Sequence, residues 1–353
     1  MTYRVIQWST GNVGRHATRL IARHPDLELV GLWVSSPDKA GRDAGEIVGI
    51  DPLGVTATSD VDELLALGAD CVCYTATADL RPTEAIDDMA RILASGANVV
   101  SSSVVPLLFP DHVDPMMRAP LEDACTTGGT SCFTSGIDPG FANDLLPLVL
   151  TGTAEYVDSV RMMEIVNYAT YAQPQVLFET MGFGQPLDAT PLILIPGVLG
   201  FAWGGVVKAI AGGLGVEVTE LREVSERVPT PVDIDLGFGV VEAGTTGALR
   251  FEIQGIVDGE PRIVVEHVTR LDDELAPEWP RARGHDGYRV EITGNPSYTL
   301  DLQMMGDDGD PNTAGLAGTA GRIVNAIPAV CEARPGLLSV LDLPLITGTG
   351  LMR

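Results

Sequence analysis
Between Val5 and Ile21 the hydrophobic period of the chain changes, and that change constrains how its first half can fold. Val5-Ile6-Gln7-Trp8 is a short apolar run suited to a buried strand. Val13, Ala17, Leu20 and Ile21 then fall at i, i+4, i+7 and i+8 and share one helical face. Ser9-Thr10-Gly11-Asn12-Val13-Gly14-Arg15 joins the two. A strand, a tight glycine turn and a helix start aim bare N–H groups and the positive end of the helix dipole at one point, which suits a pyrophosphate. Of the glycines in the G-x-G-x-x-G fingerprint, Gly11 and Gly14 are present and Ser9 takes the first place. An ordinary strand–turn–helix corner has the same outline, so the continuation has to discriminate.

The continuation alternates strand and helix. Leu27 to Val34 is a dense β-type run. In a dinucleotide fold the residue about 20 positions beyond the last glycine meets the adenosine ribose, which points to Val34 and Ser35. No acid stands there to accept a ribose hydroxyl. Ser35, Ser36, Lys39 and Arg42 instead suit a 2′-phosphate, favouring NADP, while Asp38 keeps NAD open. Asp70 to Thr75 reads as a further buried strand, running into Thr75-Ala76-Thr77-Ala78. Pro82 opens a helix carrying Ala85, Ile86, Met89, Ile92 and Leu93 on one face. Ala97 to Val100 leads into Ser101-Ser102-Ser103, and Thr130 to Thr134 into Ser135 to Phe141. This grammar specifies an α/β, Rossmann-type, doubly wound parallel sheet over residues 1–150.

A second, α+β domain with a mainly antiparallel sheet is expected over 151–310. Val157–Val166 reads as a strand, helices as lying near 174–182 and 188–213, and strands as Val216–Val228, Ala248–Val257, Arg262–Leu271 and Tyr288–Met305. Asp258-Gly259 is a hairpin turn signal. Residues 311–353 are expected to form a helix, capped by Asn312 and kinked or ended by Pro328, and a tail packing back on the first domain. From Pro191 to Val216 only Lys208 is charged, a length that a membrane span of about 20 apolar residues would need. Pro196, Gly197, Gly200, Gly204 and Gly205 break that run, so a buried helix pair lining a pocket or subunit interface is expected instead.

Among the 353 residues, 48 acids against 22 bases give a formal net charge of −26. Such a surface repels phosphate backbones and anionic lipid, which argues against nucleic acid and membrane as partners. Cys71, Cys73, Cys125, Cys132 and Cys331 have no metal-ligand spacing, and Cys71 and Cys73 share one strand face as small buried hydrophobes. With no charged n-region and apolar h-region at the start, a reducing cytoplasm is the expected compartment.

Taken together, these stretches resemble the dihydrodipicolinate-reductase-like oxidoreductases, nearest the branch of 2,4-diaminopentanoate dehydrogenase and the native amine dehydrogenases. Ser9–Arg15, Gly41-Arg42-Asp43-Ala44-Gly45-Glu46, Gly136-Ile137-Asp138-Pro139-Gly140-Phe141 and Arg322-Ile323-Val324-Asn325-Ala326-Ile327-Pro328 carry the resemblance, in the family's order. It implies a homodimer, a small-molecule substrate, and hydride passing between nicotinamide, in a cleft between domains, and a carbon bearing nitrogen. It further implies that Gly11 to Arg15 bind the pyrophosphate, that Thr75 to Thr77 and Ser101 to Ser103 lie along the nicotinamide side, and that Asn325 sits near the nicotinamide end. The branch carries a catalytic glutamate in a Ser-Thr-Cys-Glu-Glu-Leu type stretch. Here the matching residues are Ser101 to Leu108, with Val104 and Val105 and no glutamate.

Candidates to replace it end the second domain's first strand. Glu164, hemmed by Met163 and Ile165, suits a buried acid or an outward strand residue. Tyr168 suits a proton donor to a carbonyl or an aromatic wall, and Asn167 and Tyr171 lie beside it. His16 sits in the first helix, His24 at its exit facing water, His112 in a loop past Ser103, His267 in a strand and His285 in a loop. None is spaced for a metal, and no Gly-x-Ser-x-Gly elbow is present. Three readings stay open: an NADP-dependent oxidoreductase of a small, fairly hydrophobic carbonyl, imine or amine; a true amine dehydrogenase with a replacement acid; and a catalytically silent NADP-binding sensor.

Overall fold
Strand and helix alternate up to Thr134 in a computed structural model that describes residues 2–78, 81–284 and 286–352. β1 (Tyr3–Trp8), β2 (Leu27–Trp33), β3 (Ala57–Thr58), β4 (Cys71–Tyr74), β5 (Asn98–Ser101) and β6 (Ser131–Thr134) lie in the order β6-β5-β4-β1-β2-β3. Every pair is parallel. The connections carry α1 (Asn12–Arg23), α2 (Ala44–Val48), α3 (Val61–Leu65), α4 (Pro82–Ala94) and α5 (Pro115–Gly128). Alternation along the strands gives the sheet two apolar faces. Val5, Cys71, Cys73 and Val100 pack with Ala17 and Ile21 of α1, whereas Ile6, Val72 and Tyr74 pack with Ile86, Met89 and Ile92 of α4. Strand order reverses at β1, the point where such sheets bind ligands beyond their carboxyl ends.

The second unit starts at Asp138, not at 150, because the Asp138 side chain is already engaged by Trp203 and His267. It contains α6 (Leu145–Thr151), β7 (Tyr156–Asn167), α7 (Val198–Leu214), β8 (Glu220–Pro229), a small hairpin of β9 (Ile234–Asp235) and β10 (Val240–Val241), β11 (Thr246–Val257), β12 (Glu260–Arg270), β13 (Gly287–Asn295) and β14 (Tyr298–Gln303). The six long strands lie in the order β14-β13-β7-β12-β11-β8, antiparallel except for β7 beside β12. Asp258 and Gly259, both at positive φ, make the expected turn between β11 and β12. The run Tyr288–Met305 is two strands rather than one, since a turn through Pro296 folds β14 back on β13.

The apolar run 191–216 also departs from expectation. It yields one helix, α7, after a short 3₁₀ turn at Leu192–Leu194, because Pro196 and Gly197 (φ +90°) separate the two. Among the described residues, no helix is long and apolar enough to cross a membrane.

α8 (Pro311–Val324) returns the chain to the first unit, which resumes at Leu316, and α9 (Ile327–Glu332) and β15 (Gly336–Leu338) follow. Ile323, Val324, Ile327 and Val330 join the cluster around Val5 and Ile21, and β15 adds a seventh parallel strand beside β6. Asn312 does not cap α8. Asp310 Oδ1 accepts the Asn312 N–H at 2.8 Å, and Asn312 Nδ2 donates to Asn167 O.

Asp43 organises the loop after β2. Its carboxylate accepts the backbone N–H groups of Gly45, Glu46, Leu53 and Gly54, which hold its pKa below the usual carboxylate value. A depressed carboxylate stabilises the fold above its unfolded pKa, and that contribution is lost as pH falls through the folded value. Asp43→Ala should therefore cost about 1–2 kcal/mol at neutral pH by thermal or urea unfolding, with the difference from wild type closing in acid.

Candidate active site
The carboxyl edge of the first sheet is tied by one row of backbone bonds. Ser9 N donates to Trp33 O at 3.0 Å, Thr75 N to Trp8 O at 3.0 Å, Ser102 N to Tyr74 O at 3.3 Å and Ser135 N to Ser101 O at 2.9 Å. The residues read as a phosphate loop thus stand next to those read as the nicotinamide side. Gly11 precedes α1 with no side chain capping the first turn, and its own Cβ position is open. A Cβ on Gly14 would lie 2.3 Å from Ser9 O and 2.7 Å from Thr75 Oγ1, so only glycine allows this approach. Asn12 and Arg15 are exposed at the helix start, and Val13 is half-buried. Ser9 has φ +80°, the left-handed region that explains why glycine commonly fills this place.

Around this loop the candidates divide. Lys39 Nζ donates to Thr10 Oγ1 at 2.9 Å, which puts the cation at the loop. Ser35 and Arg42 are exposed and Ser36 is half-buried. Thr77 is exposed, whereas Ala76 is buried and its carbonyl accepts the Ser103 hydroxyl. Ser101 Oγ accepts the Ser103 N–H at 2.9 Å, so Ser101 and Ser103 shape their loop and leave Ser102 as the half-buried one. Asn325 stands apart. It lines a cavity of about 440 Å³ that His24 and Asp26 also line. α8 carries Arg322 beside Ser135 and Phe133 at the carboxyl end of β6, and Asn325 follows as the chain turns away.

The second unit assembles a charged group by strand register. Phe251, His267, Glu164 and Tyr288 are successive partners across β11, β12, β7 and β13. His267 Nδ1 lies 3.0 Å from Glu164 Oε2 and His267 Nε2 lies 3.2 Å from Asp138 Oδ1, with the three side chains 5%, 7% and 1% exposed. Phe251 stacks on the imidazole at 4.8 Å, Trp203 meets it edge-on at 5.0 Å, and Trp203 Nε1 donates to Asp138 Oδ1 at 2.8 Å. Burial alone would lower the His267 pKa, but the Asp138 and Glu164 carboxylates outweigh it and raise it to about 10. Tyr168 Oη donates to Glu164 Oε2 at 3.3 Å and its ring stacks on Tyr171 at 4.5 Å. Burial, reinforced by the Glu164 charge, pushes the Tyr168 and Tyr288 hydroxyls well above the usual phenol range.

The C-terminal domain model of 2,4-diaminopentanoate dehydrogenase matches residues 141–352, and the N-terminal model of dihydrodipicolinate reductase matches residues 5–101. An amine dehydrogenase of Streptomyces virginiae is 45% identical over 350 residues, covering 98% of this chain and 97% of that relative. The chain belongs to the 2,4-diaminopentanoate dehydrogenase family. The 2,4-diaminopentanoate dehydrogenase of Acetoanaerobium sticklandii is 26% identical, covering 97% and 93% of the two chains. A solved amine dehydrogenase from Mycobacterium smegmatis shares the fold with a TM-score of 0.77 at 21% identity, covering 98% and 97%. The protein is therefore an oxidoreductase of a family that uses a nicotinamide dinucleotide. The open approach at Gly11, the uncapped helix start and the Gly14 cradle fit that group.

The sequence-derived candidates Glu164 and Tyr168 lie in this cluster, and Trp203, read from sequence only as apolar pocket surface, joins them; sequence reading did not single out His267, Asp138 as an acid or Tyr288. One signal was available: His267 interrupts the apolar run Ile263 to Val268 at an inward position. Asn167 faces away from Glu164 along β7, bonded to Asp273 and to the Ala169 N–H. His24 is buried rather than facing water, accepts the Asp26 N–H, and has its pKa lowered by burial. His16 lies in α1, His112 ends a 3₁₀ turn, and His285 lies outside the described residues. Asp138, Glu164 and His267 also offer ligand atoms within 4.8 Å of one another. Their carboxylates address opposite ring nitrogens, however, whereas a metal gathers lone pairs at one point. The geometry is that of an imidazolium held between two acids.

A histidine with a raised pKa stabilises the fold fully below its unfolded value and loses that contribution as pH rises through about 10. Between about pH 7 and pH 10, wild type should therefore lose up to about 1.4 kcal/mol per pH unit more than His267→Gln, measured by urea unfolding across that range. Parallel pH profiles would refute the charged imidazole.

Proposed function
We propose that the protein is an NADP-dependent amine dehydrogenase interconverting a small, fairly apolar amine and its carbonyl compound, with Glu164 as the acid that meets the nitrogen. The observation that carries this reading is the charge of the buried cluster. An imidazolium between two carboxylates leaves one net negative charge, which an ammonium or iminium group neutralises. Phe251 and Trp203 pack against the imidazole and Tyr168 stacks on Tyr171, so aromatic surface surrounds the polar atoms of the cluster, in keeping with an apolar substrate body. The 45% identity to an amine dehydrogenase along almost the whole chain supports the same reaction class.

When bound, the nicotinamide supplies the hydride acceptor. The chain's own residues manage charge and protons. Glu164 stabilises the positive charge that grows on the substrate nitrogen as its carbon gives up hydride. Water must then add to that carbon and lose a proton, for which Glu164 is the base. Tyr168, bonded to Glu164, orients that carboxylate. Ammonia leaves with that proton returned to it and the remaining hydroxyl proton passes to solvent, so amine, water and oxidised nicotinamide become carbonyl compound, ammonia, a proton and reduced nicotinamide. His267 keeps Glu164 aligned and Asp138 keeps His267 charged, so both are positioning residues.

With a small ketone, NADPH oxidation should require ammonia, and Glu164→Gln should lower kcat/KM for the amine by about 100-fold or more. Ammonia-independent turnover, or full amine activity in that variant, would sink the assignment.

Support for NADP comes from Lys39 at the loop, Ser35 and Ser36 after β2, and exposed Arg42. NADPH should bind more tightly than NADH in fluorescence titration, and Lys39→Ala should shrink that preference by about tenfold. Equal affinities in the wild type would overturn the NADP choice without touching the reaction.

A further inference from the structure
Gln7 is a fully buried polar side chain in the middle of the first sheet. Its Nε2 donates to Ser9 O at 2.9 Å and to Thr75 Oγ1 at 2.8 Å, with Trp8 O at 3.3 Å. Thr75 Oγ1 gives its own proton to Trp8 O at 2.9 Å, so it accepts from Gln7 and the amide orientation is determined. Gln7 Oε1, by contrast, is buried and without a partner. A stable core gains nothing from such an orphan acceptor, and an apolar side chain would avoid it. The amide is best explained by what its donors hold.

Those donors hold two loops. One is Ser9, forced to φ +80° without the glycine that tolerates it. The Ser9 carbonyl also sits where a Gly14 Cβ would be, 2.3 Å away, so any drift of Ser9 moves into the turn below the helix start. The other is Thr75, whose hydroxyl also lines the Gly14 cradle. We infer that Gln7 is a positioning residue for the nicotinamide dinucleotide: it holds Ser9 in its left-handed conformation and fixes the pyrophosphate turn against the Thr75 loop. This rests on reading Ser9–Arg15 as the pyrophosphate loop.

The test is a double-mutant cycle on NADPH affinity, read by fluorescence titration and accompanied by steady-state kinetics. Gln7→Leu should weaken NADPH binding by about 10- to 100-fold and raise the cofactor KM far more than it lowers kcat at saturation. In a Ser9→Gly background, where positive φ needs no restraint, the same change should cost less than about threefold. An equal penalty in both backgrounds, or no penalty in the first, overturns the inference. Gln7→Met, which also lacks the N–H donors, is read the same way should the leucine variant fail to fold. Gly14→Ala separates the premise from the inference. NADPH binding unchanged in Gly14→Ala refutes the loop reading, whereas weakened binding there with intact binding in Gln7→Leu refutes the role of Gln7 alone.

Discussion
A carboxylate beside each ring nitrogen favours the protonated form of a buried imidazole, and the centre of the second unit is arranged around that pairing. His267 sits between Asp138 and Glu164 with all three side chains almost wholly inaccessible. Burying three charges is unfavourable against an apolar replacement of the same shape. Their presence therefore points to chemistry rather than to stability. The sheet topology follows from the same need. A purely antiparallel sheet is easier to close, yet β12 runs parallel to β7, and that pairing sets His267 level with Glu164. Antiparallel β13 then brings Tyr288 to the other side of Glu164, and β11 supplies Phe251 as the face on which the imidazole stacks.

The first unit solves a different problem by different means. Its ligand-facing groups are mainly backbone N–H donors at a helix start, and the side chains around them shape the backbone. Gly14 gives room, Gln7 and Thr75 hold the turn, and Ser101 and Ser103 bond their own neighbourhood. Strain collects at the same edge. Ser9 and Val104, both non-glycine residues at positive φ, follow β1 and β5. Such conformations persist where the surroundings over-determine them, which the row of bonds from Trp33 to Ser135 does.

How legible each unit was in the sequence follows from this contrast. The glycine turn is local: strand, glycines and helix occupy the seventeen consecutive residues Val5 to Ile21, so period and turn chemistry reveal it. The parallel sheet follows from repetition of that pattern. The charged cluster is not local. Asp138, Glu164, His267 and Tyr288 come from four separate stretches: the register of β12 and β13 against β7 joins the last three, and Asp138 reaches them through Trp203 and His267. Periodicity places His267 on a strand but is silent on its partner. The same blindness to pairing hid the turn at Pro296 that splits β13 from β14. Asn325 shows the opposite failure. The family resemblance places it at the nicotinamide end, and in the structure it lines a cavity that His24 and Asp26 also line.

With the acid on Glu164, the two valines after Ser103 acquire a physical sense. A glutamate on the 3₁₀ turn Val105–Leu108 would be held by a loop, whereas Glu164 is held by two strand neighbours, a histidine and a tyrosine. Groups on strands keep their geometry more tightly than groups on loops. Val104 is buried at φ +49°, a costly conformation for a β-branched residue. A second carboxylate there would add a charge that only its own counter-ion could offset. In the second unit Glu164 is balanced by the His267 imidazolium and by a second carboxylate, Asp138, on the other ring nitrogen.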